Sequence, residues 1–280
     1  MKKISSLIVL TVCCLLFNPS FAQLKMPQLS SAQTMTQEFG LGTITVKYSR
    51  PNVKGRNVFS DLAPFGEVWR TGANTITTIA FSEDITLEGK AVSAGEYALL
   101  TVPGKDSWTI ILNKGTKQWG AYAYKEADDV LRFTVKPSKL SEKAETMTMT
   151  FSDVMPTSAK LNLMWADTKV SIGMLTEVDS KVMANIDEAM KGEKKPYMQS
   201  AIYYYENGKD LAKALAWMNA ISPEEQKTPW YNYWKAKIQL KSGDKAGAKA
   251  SAKTGIEIAK AMNIAEYIRL NSAVLAQASK

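Results

Sequence analysis

The fold class this sequence predicts is an antiparallel all-β sandwich of eight or nine strands followed by an all-α array of helical hairpins, and three observations predict it. From residue 43 to residue 174, short segments of alternating apolar and polar character recur with glycine- or proline-bearing turns between them; strands with one dry face have this pattern. Near residue 176 the β-branched runs stop and Ala, Lys, Met and Tyr take over, residues better suited to helices. The second part also repeats at a period of about 34 residues. The expected division is a leader over 1–22, a β-sandwich domain over 23–176 and a helical domain over 177–280.

Residues 24–38 read as a polar lead. Residues 43–49 then place Ile44, Val46 and Tyr48 on one face and Thr43, Thr45 and Lys47 on the other, a half-buried strand that Arg50-Pro51 ends, because proline has no N–H to donate. A long crossing passes Gly55, Pro64 and Gly66 before residues 75–81 resume an extended pattern. Strands follow over 84–88, 97–102 and 108–112, the last entered by the tight turn Pro103-Gly104-Lys105-Asp106, then over 130–136 and 146–151. Leu161, Leu163 and Trp165 are expected to pair with Val170, Ile172 and Met174 across a turn at Ala166-Asp167. Few helical windows interrupt this series, which favours a sandwich or barrel.

Beyond residue 176 a helix is expected over 179–190. Asp210-Leu211-Ala212-Lys213-Ala214 then lines up with Asp244-Lys245-Ala246-Gly247-Ala248, and Tyr197 with Tyr231. Paired alanines let helices approach closely. This part resembles tetratricopeptide-type hairpins, two of them plus a terminal helix near 264–278. Tyr203, Tyr204, Tyr205, Trp230, Tyr231, Tyr233 and Trp234 either line a groove for a peptide or form core, and helical spacing favours core.

The first residues have the three parts of a secretory leader: Met1-Lys2-Lys3, an apolar run over 4–17, and Asn18 to Ala22 as the cleavage region. The apolar run is shorter than the roughly 20 residues needed to span a bilayer, so the expectation is an exported protein, periplasmic or extracellular, without a membrane span. Both cysteines, Cys13 and Cys14, lie in the leader, and histidine is absent throughout. Thiol nucleophiles, disulfides, Cys/His zinc sites and serine–histidine triads all need residue types the mature chain lacks. No cofactor or metal is expected, and catalysis would fall to carboxylates, Lys, Tyr or Ser/Thr. The net charge of +8 falls to +6 once Lys2 and Lys3 are removed, with no dense basic stripe to hold nucleic acid.

Residues 48–74 read YSRPNVKGRNVFSDLAPFGEVWRTGAN. The chain has only five arginines, and three of them, Arg50, Arg56 and Arg70, fall in this stretch. The planar fork of arginine suits carboxylates, phosphates and carbonyl groups, so the stretch is the candidate site. Two readings stand side by side. In one, Arg50, Arg56, Arg70 and Asn74 converge on an anionic group, a peptide carboxylate or a sugar acid, with Lys54 at the rim and Trp69 or Trp119 as a flat wall. In the other, the arginines tie down backbone carbonyls or Asp61 and Glu67 while Gly55, Gly66 and Gly72 permit the turns.

The runs YSRPNVKGR, FGEVWRTGAN, AGEYALLTVPG, WTIILNK and DDVLRFTV resemble, in order, the blocks of an exported family known as domain of unknown function 2911, over residues 27–174. That resemblance implies an all-β domain of secreted or envelope proteins and carries no activity or ligand with it. The functional expectation is therefore an exported, non-catalytic binding or scaffold protein of the cell envelope. Its partners would be a protein or peptide on the helical part, or an anionic ligand or glycan at the arginines. The alternative is a carboxylate-dependent glycan hydrolase drawing on Asp61, Glu67, Glu96, Asp128 or Asp129.

Overall fold

The computed structural model describes residues 26–280, so the expected leader lies outside the described residues. These residues form two compact units, one ending at Glu177 and one spanning Val178–Lys280. No helix among them is long and apolar enough to cross a membrane.

The first unit is two antiparallel sheets of ten strands. One sheet has the order β1-β2-β3-β6-β7-β8, made of Ser31–Phe39, Gly42–Arg50, Thr78–Phe81, Gly95–Val102, Trp108–Asn113 and Asp129–Val135. The other has the order β5-β4-β10-β9, made of Lys90–Val92, Ile85–Leu87, Ser158–Leu175 and Ser138–Ser152. Period-two alternation sends one set of side chains inward from each sheet. Ile44, Val46 and Tyr48 from β2 thus meet Met147 and Met149 from β9 and Leu161, Leu163 and Trp165 from β10 in one buried cluster. Three indoles lie at its centre: Trp69 stacks on Trp165 at 5.4 Å between ring centroids and meets Trp108 edge-on at 6.5 Å.

Two expectations are corrected here. The polar lead contains β1, which pairs with β2 along its whole length, from Ser31 opposite Arg50 to Phe39 opposite Gly42. Its apolar alternation is weak because β1 is an edge strand, mostly exposed or half-exposed. Residues 158–175, read as a hairpin, are one strand. Ala166 takes a φ of 50° and the register with β9 slips on either side of it, so the local break is a bulge that bends the strand and does not reverse it.

The outer face of the six-stranded sheet has a smaller core of its own. Ala98 and Leu100 of β6, Ile111 of β7 and Ile76 are buried together, with Val68, Ala121 and Tyr124 packed against them. The segments around residues 68–76 and 114–124 therefore cover this face.

The second unit is helical: α1 Asp179–Ala189, α2 Tyr197–Glu206, α3 Leu211–Ala220, the short α4 Pro223–Gln226, α5 Pro229–Lys241, α6 Lys245–Ala261 and α7 Ala265–Ala278. The repeat is visible in its caps. Asp210 accepts the N–H groups of Ala212 and Lys213 at the start of α3, and Asp244 accepts that of Gly247 at the start of α6, each satisfying donors the helix leaves unpaired. Ala214 and Ala248 are fully buried at matching positions, as are Met218 and Ala252. The Tyr231 hydroxyl donates to the Met218 carbonyl at 3.1 Å, tying α5 to α3.

Candidate functional site

The stretch 48–74 begins as the end of β2, and its first half runs along the free edge of β9, which is terminal in its sheet. The contacts follow one another in register. Met149 N donates to the Tyr48 hydroxyl at 2.8 Å. Arg50 Nε donates to the Met147 carbonyl at 3.0 Å, and its Nη2 to Thr148 Oγ1 at 2.7 Å. Met147 N donates to the Pro51 carbonyl and Val53 N to the Glu145 carbonyl, both at 2.8 Å. Asn52 forms a bridge with Thr146, whose hydroxyl lies 2.6 Å from Asn52 Oδ1. A sheet edge exposes unpaired N–H and C=O groups. Here side chains and backbone of one short segment satisfy them and join the two sheets.

Arg56 acts locally. Its Nε donates to the Val53 carbonyl at 3.1 Å and its Nη2 to the Asn52 carbonyl at 2.7 Å, closing a turn in which Lys54 and Gly55 take φ of 47° and 70°. Lys54 donates its N–H to Glu145 Oε1 at 2.8 Å. Asp61 accepts Asn57 N and the Ser60 hydroxyl, and these bonds hold its carboxyl below the ordinary carboxylate value.

The second half of the stretch carries the other candidates to different places. Trp69 is buried, part of the indole trio, with its Nε1 donating to the Gly72 carbonyl at 3.1 Å; it is core. Trp69 pairs with Thr101, and Thr101 is flanked by Leu100, which faces Ile111, which faces Arg132. Arg70 is one residue out of phase with Trp69, so it lies in that outer row, on the opposite side of the sheet from the inward Arg50. Among the described residues Arg70 makes no side-chain hydrogen bond or ion pair, and its Nε is shielded from solvent without an acceptor. Asn74 donates through Nδ2 to the Ser30 carbonyl at 3.1 Å with φ of 59°. Trp119 bridges Thr75 and is exposed. The four candidates Arg50, Arg56, Arg70 and Asn74 are thus distributed over the β9 edge, a surface turn, the outer face and the start of β1.

Two of the remaining candidate carboxylates, Glu96 and Asp129, are locally bonded. Glu96 meets Lys47 and Thr78. Asp129 accepts from Asn113, Tyr124 and Arg132; burial first, and then the Asp129 carboxylate, push the Tyr124 hydroxyl up to about 12.

In the helical unit, a groove of about 500 Å³ is lined by Tyr205, Tyr233, Lys237, Leu240, Lys241 and Leu270, among others. Tyr204 and Tyr231 are buried core, whereas Tyr205 and Tyr233 turn to the groove. The Lys237 ammonium sits 4.2 Å from the Trp234 ring centroid, 4.8 Å from Tyr205 and 5.2 Å from Tyr233. Lys241 lies 4.5 Å from the Tyr205 ring centroid and donates to the Tyr205 carbonyl at 2.6 Å. Neither lysine is ion-paired among the described residues. The sequence offered one signal for this pair: Tyr233, Lys237 and Lys241 recur every four residues and so share a helix face.

The first unit is therefore a two-sheet sandwich whose open edge is fastened by its own arginine-bearing segment, and the second a set of repeated helical hairpins. Residues 30–174 match the family described as protein of unknown function DUF2911, and the chain belongs to it. The helical unit lies beyond the matched residues. No curated protein and no solved structure matches the chain.

Proposed function

We propose that this chain is an exported, non-catalytic binding component of the cell envelope, and that its helical unit holds an acidic segment of a partner protein. The observation that carries this reading is the pair Lys237 and Lys241, two cations set against three aromatic rings in a groove and ion-paired to no carboxylate among the described residues. Aromatic faces favour a cation beside them, which keeps the Lys237 ammonium in place with donors left for an anionic partner. The neighbouring rings and Leu240 and Leu270 supply apolar contact area for the partner's side chains. Export rests on the leader sequence. The non-catalytic character rests on a mature chain without cysteine or histidine.

The test uses the full mature chain and fluorescein-labelled peptides of alternating Glu and Leu, compared with their Lys and Leu counterparts. The acidic peptide binds and the basic one does not. Lys237→Glu with Lys241→Glu reduces binding about tenfold or more, since a hydrogen bond to a charged group contributes about 1.5–3 kcal/mol. Equal binding of both peptides, or no change on charge reversal, would remove the reading.

A further inference from the structure

The two most exposed large aromatic side chains among the described residues lie three positions apart in one loop of the β unit: Trp119 at 64 % and Tyr122 at 89 %. The loop reads KGTKQWGAYAYK over 114–125, an uncharged Trp-Gly-Ala-Tyr-Ala tip bracketed by Lys114 and Lys117 on one side and Lys125 on the other. All three lysines are exposed, and none is ion-paired among the described residues. Of the acids that follow, Glu126 lies 3.6 Å and Asp129 2.9 Å from Arg132. Asp128 stands beside the loop, its carbonyl accepting Lys114 N at 3.0 Å.

The tip is held at its base. Ile76 N donates to the Gln118 carbonyl at 3.1 Å and Gly120 N to the Asn74 carbonyl at 3.3 Å. Gln118 Nε2 donates to the Gly115 carbonyl at 2.8 Å. Ala121 and Tyr124 pack onto the outer-face core while Trp119 and Tyr122 stand out from it. Two large, mostly exposed rings are thus displayed on an anchored loop, and among the described residues neither meets another aromatic ring.

From this arrangement we infer that the loop over 114–125 is a shallow docking surface for an anionic lipid bilayer. Trp and Tyr favour the headgroup level, where one end of the ring is apolar and the other wet. Lysines beside them are drawn to an anionic leaflet; over residues 114–132 Lys114, Lys117, Lys125 and Arg132 stand against Glu126, Asp128 and Asp129, a net positive charge that matches that sign. The contact needs no spanning helix and no pocket. It is separate from the helical groove and stands or falls on its own observations.

The experiment is co-sedimentation of the mature chain with phosphatidylglycerol-containing vesicles and with pure phosphatidylcholine vesicles. Binding to the anionic vesicles alone is expected, weakening as salt rises. Trp119→Ser with Tyr122→Ser, and separately Lys114→Glu with Lys117→Glu, each lower it about tenfold; all four positions are exposed or half-exposed, and circular dichroism of each variant verifies folding. Three results would overturn the inference: no vesicle binding, binding that neither double variant alters, or displacement from vesicles by a soluble acidic polysaccharide, which would make the loop a glycan surface instead.

Discussion

Replacing Tyr48 with phenylalanine removes one oxygen and keeps the ring in its place among the inward residues. That oxygen is the acceptor for Met149 N at 2.8 Å and donates to Gln33 Oε1 at 2.7 Å. The ring is 4 % exposed, so in the variant the Met149 N–H on the β9 edge is left without its partner and out of reach of water. An unsatisfied buried donor costs about 1–3 kcal/mol. For a unit of this size each kcal/mol lowers Tm by about 2–4 °C. The assay is urea unfolding followed by tryptophan emission, to which the Trp69–Trp108–Trp165 trio contributes beside Trp119 and the helical unit's Trp217, Trp230 and Trp234, in parallel with ellipticity, which the helices dominate. The change seen in emission and not in ellipticity is the β transition. A fall in the midpoint of the β transition with an unchanged slope is expected. Tyr122→Phe, at an exposed hydroxyl, is the control, and a Tyr48→Phe midpoint no lower than that control would refute the account of the β9 edge.

Gly72→Ala places a methyl group 2.9 Å from both the Ser49 carbonyl oxygen and Thr77 Oγ1. Forcing those groups apart costs about 1–3 kcal/mol, and calorimetry of the sandwich unit should register it. Acid should weaken the helical unit through Asp179, which accepts from Lys209 Nζ at 2.6 Å and Tyr203 at 2.8 Å, bonds that lower its carboxyl below the ordinary value. A depressed carboxylate adds stability above its unfolded value of about 3.9 and loses it as pH falls through the lower folded value. Helix melting between neutral pH and pH about 2 should therefore show a sensitivity that Asp179→Asn abolishes.

The strands of the sandwich were legible wherever one face is dry: Ile44, Val46 and Tyr48 announce β2, and Ile110 and Leu112 announce β7. β1 was not, because an edge strand with both faces largely wet has no apolar rhythm to read. The bulge at Ala166 escaped for a different reason, since a residue with φ above zero breaks alternation just as a turn does, and only the pairing partner tells them apart. In the stretch 48–74, the scarcity of arginine drew notice to the segment that runs along β9, but composition carries no direction. That Arg50 faces inward to β9 and Arg70 outward depends on a half-turn of phase within a sheet whose order the sequence does not state. The caps Asp210 and Asp244 were readable as a repeat because capping chemistry is local. For Lys237 only the four-residue spacing from Tyr233 was readable, because Tyr205, the ring that completes its surroundings, comes from another helix.

The fastening of β9 by residues 48–53 also bears on how this protein avoids its own copies. An uncapped strand of fifteen residues would offer every neighbouring molecule a template for intermolecular pairing. The stretch from Tyr48 to Val53 occupies about a third of that template, Glu145 to Met149, and the part before it, SKLSEKA, carries Lys139, Glu142 and Lys143, charges that resist flat stacking of strands. Shortening the chain through that stretch would expose Met147 and Met149 together with their open N–H groups, and fibrous self-association would follow from the loss of a few hydrogen bonds.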